Sequence, residues 1–146
     1  MSEPVLELQR HFKATPERVF DAWIVPENWQ AWIGPEGINC TIEAMEPVVG
    51  GRYRLTMYLG SAMNINVAGQ FLTIERPHRL DFTWDSADGS TTSRVELTFN
   101  AKDGGTEMTI RHHGLGTQDN VFAHEAGWSS AFNKLQRFAE GTQNGV

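Results

Sequence analysis

The chain has one cysteine, Cys40, in 146 residues. An internal disulfide is therefore excluded, as is a cysteine cluster that could hold zinc, and a reducing cytosol is the simplest home. Long apolar runs are missing as well. None approaches the roughly 18–20 residues that cross a bilayer, so no membrane insertion is expected. The opening MSEPVLELQRHF has an early acid and alternates polar with apolar, unlike the basic-then-apolar order of a secretory signal. Basic charge is scarce, with 12 Lys and Arg against 18 Asp and Glu and a net charge of −6. Phosphate contact needs a basic face that releases counterions. Arg52 and Arg54 are the one tight basic pair in the strand region, so nucleic acid is not an expected partner. Gly-x-Ser-x-Gly, a phosphate loop and a dinucleotide fingerprint are all absent, so no cofactor is expected.

What is present is the balance of an ordinary globular chain, 40% apolar and 21% charged, long enough to bury one core. We expect one domain over residues 1–146, without repeats or linkers. Val5 to Phe12 alternates as a strand does, with Leu6, Leu8, Arg10 and Phe12 on one face. Thr15-Pro16-Glu17 then reads as a helix start: a hydroxyl cap, a proline for the first turn, and an acid for the positive end of the dipole. Val19, Phe20, Trp23 and Ile24 form an apolar stripe, and Pro26 starts a second short helix facing inward through Trp29, Trp32 and Ile33. Gly34-Pro35 stops it, so the two helices should form a V-shaped clasp.

From Cys40 to His113 the period falls to two. Strands are expected at 40–46, 52–59, 64–75, 79–85, 91–101 and 105–113. The separators are Val49-Gly50-Gly51, Gly60-Ser61, Arg76-Pro77-His78, Asp88-Gly89 and Asp103-Gly104-Gly105. Such short links predict an antiparallel meander. Beyond Gly116 the helical period returns, with Val121, Glu125, Trp128, Phe132, Leu135 and Ala139 on one stripe of a helix over about 119–140, roughly 30 Å long. The tail from Gly141 is expected to fray.

Strand parity sorts the sheet into a dry face and a wet one. Tyr53, Leu55 and Met57 share the dry face with Val67, Gly69 and Phe71, with Leu80, Phe82 and Trp84, with Val95, Leu97 and Phe99, and with Met108, Ile110 and His112. Arg52, Arg54, Thr56, Asp81, Thr83, Arg94, Glu96, Thr98, Glu107, Thr109 and Arg111 alternate with them. An antiparallel sheet covered on one side reads this way. One helix cannot touch every inward residue of a strongly curved sheet, so part of the apolar surface should line a cavity. The expected lining is Trp32, Tyr53, Leu55, Met57, Val67, Phe71, Phe82, Trp84, Val95, Leu97, Met108, Ile110, His112, Glu125, Trp128 and Phe132, with Trp32, Trp84 and Trp128 nearest the space. Indole N–H groups would orient a ligand there, and Met57 would adapt to its shape.

Leu8-Gln9-Arg10, the run Ala14-Thr15-Pro16-Glu17-Arg18-Val19-Phe20-Asp21-Ala22-Trp23, Pro26-Glu27 and Trp32-Ile33-Gly34-Pro35 resemble the opening of a known family. Gly50-Gly51-Arg52-Tyr53, Arg76-Pro77-His78-Arg79-Leu80 with Phe82-Thr83-Trp84, and Gly127-Trp128 with Phe132 and Leu135 resemble its later signatures. The family is the activator-of-heat-shock-protein-90-ATPase homologue branch of the START-like (Bet v 1-like, SRPBCC) superfamily. Val25 departs from its usual Asp cap, Ile33 from a common second Trp, and Val48-Val49 from an Arg-Pro before the glycines. The resemblance implies an α+β helix-grip fold: about six to seven antiparallel strands, in the order β-α-α-β-β-β-β-β-β-α, wrapped around the C-terminal helix. It also implies a cavity for a small apolar or aromatic molecule. Superfamily members range from lipid carriers to polyketide cyclases, so fold alone selects no chemistry. A chaperone partner is implied by the family name only and sits poorly with the acidic charge. An exposed sheet edge permits a homodimer.

Candidate chemistry is sparse. His112 and His113 are adjacent on a strand and point to opposite faces, so they cannot chelate one ion together. His112 faces the helix, either as a hydrogen-bonded residue or as a ligand contact. Glu125 falls on the apolar stripe, either solvated at the rim or as a polar anchor at the cavity mouth, bonded to His112. A cyclase or hydrolase would draw on His112, Glu125 or Tyr53. His124-Glu125 opens like a zinc-protease helix, but Trp128 stands where the second His belongs. No metal is expected, and Cys40 reads as a quiet half-buried residue.

Overall fold

Thr15 accepts a hydrogen bond from the Arg18 amide (3.2 Å) and Pro16 occupies the first turn, so the chain leaves its first strand for a helix where the cap chemistry demands. In the computed structural model, which describes residues 4–60, 64–86 and 88–141, strand β1 (Leu6–Phe12) leads to helices α1 (Pro16–Ile24) and α2 (Pro26–Trp32). Then come β2 (Asn39–Met45), β3 (Arg52–Tyr58), β4 (Asn64–Glu75), β5 (Arg79–Thr83), β6 (Asp85–Ser86), β7 (Arg94–Lys102), β8 (Gly105–His113) and helix α3 (Gln118–Gly141). Ser61 of the expected Gly60-Ser61 turn and tail residues 142–146 lie outside the described residues.

The sheet runs β1-β8-β7-β5-β4-β3-β2, with antiparallel pairing throughout. Residues 39–113 thus form the expected meander, and β1 returns to pair with β8 (Leu6 opposite His112, Phe12 opposite Thr106). Two boundaries differ from the sequence reading by more than one residue. The strand expected at 79–85 is divided: β5 ends at Thr83, and β6 pairs instead with β4 (Val67 opposite Ser86). The strand expected from 91 begins at Arg94, because a polar turn closes before it: Ser90 donates its amide to Asp88 Oδ1 (2.8 Å), and Ser86 donates its amide to the Thr91 carbonyl (3.1 Å).

β4 is the pivot of the curvature. Its partner changes along its length, and a bulge interrupts its register with β5 between Phe71 and Thr73, which increases local bend and twist. Gly69 sits at that pivot. A Cβ there would fall 2.1 Å from the Thr83 carbonyl oxygen and 2.5 Å from the Tyr53 ring. Lacking one, Gly69 lets Tyr53 cross the strand and donate its hydroxyl to Thr83 O at 2.5 Å.

The dry face is buried from Tyr53 through Ile110 except at Trp84, which is half-buried, and α3 lies against it through Trp128, Phe132 and Leu135. Polar side chains from other elements tie α3 at its middle and at its C-terminal end. Arg10 of β1 donates to Asn133, Gln136 and the Ser129 carbonyl. Arg18 of α1 donates to the Ala139 and Phe138 carbonyls, supplying the positive charge that the last turn of α3 lacks. The wet face is not uniformly wet: Thr56 and Asp81 are only 8% and 6% accessible. Thr56 donates to Asn66, and Asp81 is covered by the Arg79 guanidinium at 2.9 Å.

The clasp of α1 and α2 closes one end of the sheet with aromatic rings. Trp23 meets Trp32 edge-to-face at 4.6 Å and lies within 6.1 Å of Phe82, Trp128 and Phe132. Trp29 meets Tyr53 at 5.0 Å. Burying such rings stabilises by roughly 1.5–3 kcal/mol each. Trp32 donates its indole N–H to the Ala22 carbonyl (2.9 Å), whereas the indole nitrogens of Trp23 and Trp29 have no hydrogen-bond partner among the described residues.

Candidate functional site

Along α3 the residues that could face the sheet change in size. Trp128, Phe132 and Leu135 are large, while Ala123, Gly127 and Ala131 follow one another at four-residue steps and so share a side. Where these small residues lie, a hollow of about 250 Å³ remains. Met57 of β3, Ile65 and Val67 of β4, and Trp84 line its sheet side. Ala123, His124, Gly127, Trp128 and Ala131 line its helix side, and Ile33-Gly34-Pro35 after α2 closes one wall. Ile65 and Ala123 are both exposed, so the space reaches solvent between β4 and α3.

The wall after α2 is held in place from α3. Lys134 Nζ lies 3.2–3.4 Å from the carbonyls of Ile33, Pro35 and Ile38. The Glu36 amide donates to Ser130 Oγ (2.8 Å), and the Glu36 carboxylate takes Asn133 and Arg137. Burial pulls the Lys134 pKa down, while the hydrogen bond from Arg137 holds Glu36 below the usual carboxylate range.

Beside the hollow lies a polar chain in which hydrogen-bond chemistry dictates every proton. Trp128 Nε1 can only donate, and it sits 3.1 Å from His112 Nδ1. Nδ1 must therefore accept, and in the neutral ring Nε2 carries the proton toward Ser93 Oγ at 2.8 Å. Ser93 in turn donates to the Trp84 carbonyl at 2.6 Å, which can only accept. His112 has no accessible surface. Burial, with His124 and His113 nearby, pushes its pKa down to about 3. It is thus a neutral strut that fixes the Trp128 ring and, through Ser93, the segment carrying Trp84. His113 faces outward and pairs with Glu96 at 2.9 Å.

His124 stands one turn before Trp128, half-buried on the wall of the hollow, its ring edge-on to His112 at 5.2 Å. Its Nδ1 lies 2.8 Å from the Asn120 carbonyl, so Nδ1 carries a proton and the neutral ring offers Nε2 as an acceptor.

Of the residues expected to line a cavity, Met57, Val67, Trp84 and Trp128 come together at the hollow. Trp32, Tyr53, Leu55, Phe71, Phe82, Val95, Leu97, Met108, Ile110 and Phe132 lie in the packed interior and do not line it. His112 stands behind Trp128. Glu125 is half-buried, away from the lining, and is not bonded to His112, whose ring nitrogens are taken by Trp128 and Ser93. The Tyr53 hydroxyl is committed to Thr83 O, and burial raises its pKa well above the usual value. Burial, then Glu43, pushes the Cys40 thiol up to about 12, too high for a thiolate nucleophile at neutral pH. Sequence reasoning missed Ile33, Gly34, Pro35, Ile65, Ala123, His124, Gly127 and Ala131. The signal for three of them, Ala123, Gly127 and Ala131, was the spacing of small residues around Trp128.

A second, more polar hollow of about 400 Å³ lies between α2, β2 and Lys134. Although larger, it is the weaker candidate, because its one cation and its glutamine are spent on structure: Lys134 on backbone carbonyls, and Gln30 on the Ile42 amide at 2.7 Å. Among the described residues, no group of three or more His, Cys, Asp or Glu is placed to hold a metal ion, and no helix is long and apolar enough to cross a membrane.

Comparison with known proteins places this geometry. No curated protein matches the sequence. Among solved structures, a Chromobacterium violaceum protein is 24% identical with a TM-score of 0.85, the alignment covering 93% of this chain and 97% of that one. The AHSA1 protein from Silicibacter pomeroyi is 26% identical with a TM-score of 0.76, covering 91% of this chain and 95% of that one. CalU16 from Micromonospora echinospora is 20% identical with a TM-score of 0.71, over 96% of this chain and 78% of that one. The family model described as "Activator of Hsp90 ATPase homolog 1-like protein" matches residues 13–140. With the sheet, the enclosed helix and this match in agreement, the chain belongs to the activator-of-Hsp90-ATPase homolog 1-like family, of START-like fold.

Proposed function

We propose that this chain binds a small, largely apolar molecule in the hollow between α3 and strands β3 and β4, and that it acts as a carrier or receptor. The observation that carries the reading is the hollow itself: two indoles, a thioether and aliphatic side chains around space left by Ala123, Gly127 and Ala131. Small-molecule sites are typically concave, mostly apolar and provided with a few polar groups. An enzymatic reading has less support. A general acid or base must reach its proton within about 2.6–3.2 Å, and His112 and Tyr53 already spend their polar atoms on Ser93, Trp128 and Thr83. A chaperone-activating role draws support from the family description alone.

The test is a two-dimensional NMR titration with naphthalene and indole as probes. We expect saturable shifts at the indole N–H groups of Trp84 and Trp128 and at the Met57 methyl, with those of Trp29 and Trp32 unmoved. Absence of saturable shifts with either probe, or shifts centred on Trp29, would refute the assignment.

A further inference from the structure

The polar atoms on the walls of the hollow narrow what it can hold. No lysine or arginine lines it, and the nearby Lys134 ammonium is shared among three backbone carbonyls. A carboxylate or phosphate would enter apolar surroundings without a cation, which costs several kcal/mol. Trp128 has committed its indole N–H to His112. Two side-chain nitrogens on the walls have no hydrogen-bond partner among the described residues: the Trp84 indole N–H, a donor, and His124 Nε2. Since His124 Nδ1 gives its proton to the Asn120 carbonyl, the neutral ring presents Nε2 as an acceptor.

Volume supplies the second constraint. A cavity of about 150 Å³ takes benzene, so 250 Å³ suits a substituted ring or a fused pair. It lies below the roughly 300–1,000 Å³ of sites for drug-sized ligands. A long acyl chain or a multi-ring molecule would leave much of itself outside.

We propose that the hollow selects a neutral one- or two-ring aromatic molecule carrying a hydroxyl, which donates its hydrogen bond to His124 Nε2. A phenolic hydroxyl both donates and accepts, so it can also take the N–H of Trp84, while the ring packs against the wall formed by the touching indoles of Trp84 and Trp128, whose centroids are 5.0 Å apart. The assignment rests on the hollow being the ligand site, and deepens that reading by making His124 the residue that sets specificity.

The experiment is calorimetric titration near neutral pH with 2-naphthol, naphthalene and 2-naphthoate, which share one ring system and differ in the group offered to His124. On the wild-type chain, 2-naphthol should bind roughly tenfold tighter than naphthalene, with 2-naphthoate the weakest. In His124→Leu that preference should shrink to about twofold or less while naphthalene still binds, which also reports an intact fold. In His124→Gln, which restores an acceptor, part of the preference should return. Equal affinities for naphthol and naphthalene in the wild type would overturn the role of His124 but leave the hollow as a binding site. So would an undiminished preference in His124→Leu, or tightest binding by naphthoate. Failure of all three probes would overturn the site and the specificity together.

Discussion

The two ends of the same dry sheet face are finished differently. At one end the α1–α2 clasp sets Trp29 against Tyr53 and Phe82, Trp23 against Phe82, and Trp32 against Trp23, and the interior is filled with rings. At the other end α3, with Ile33-Gly34-Pro35 at its side, covers β3, β4 and Trp84, and beside Trp128 it offers only Ala123, Gly127 and Ala131. One end obeys the packing density of a core; the other leaves space. The lesson is that an inward-facing apolar residue supports stability where an opposing element meets it, and is available for recognition where none does.

The contrast can be broken most forcefully at Trp23. Replacing this fully buried ring with alanine should cost about 4 kcal/mol, read from urea unfolding. Trp84→Ala, at the half-exposed rim of an existing hollow, should cost about half that or less. Equal losses would mean the two ends are packed alike. Gly69→Ala comes next. Its methyl has nowhere to go between Thr83 O and the Tyr53 ring, and we expect about 3 kcal/mol of destabilisation, with the Tyr53–Thr83 hydrogen bond lost.

The wall of the open end is held by His112 behind Trp128, and pH should reveal it. Its folded pKa of about 3 lies below the unfolded value of about 6.5. The unfolded chain therefore takes up the proton first. The stability linked to His112 is complete above pH 6.5 and drains as pH falls toward 3. Between about pH 8 and pH 5 the loss should be about 2 kcal/mol. A His112→Gln variant should lose correspondingly less over that window. Parallel pH profiles for the two proteins would contradict the buried neutral strut. The smallest effect belongs to the hollow: Gly127→Ala meets nothing within 4 Å and should stabilise α3 by about 0.5–1 kcal/mol, whereas a loss would mean the space is occupied.

These differences explain what could be read from the chain. The change of period from 3.6 to 2 and back located the helices and the meander, because turn and cap chemistry is local: Thr15 caps α1 and Gly34 ends α2 where their types require. The pairing of β1 with β8 and the division of β5 from β6 at Trp84 are set by contacts distant in sequence. The burial of Asp81 depends on the reach of Arg79, which alternation does not encode. For the site, parity identified the side of the sheet on which Met57, Val67, Trp84 and Trp128 meet. It could not show that the clasp would fill the space beside Trp32, Phe71 and Phe82. That depends on how far two short helices reach over the sheet. His124 was visible only as a failed zinc-protease motif. Its place one turn from Trp128 puts it on the wall of the hollow.

Ligand binding in the hollow depends most directly on the space opposite Gly127. Calorimetric titration of Gly127→Leu with naphthalene, alongside its unfolding free energy, tests this in one variant. We predict affinity at least tenfold weaker than wild type with stability changed by no more than about 1 kcal/mol, because the leucine fills the hollow without displacing the core. Undiminished naphthalene affinity in a folded Gly127→Leu protein would contradict the placement of the ligand site.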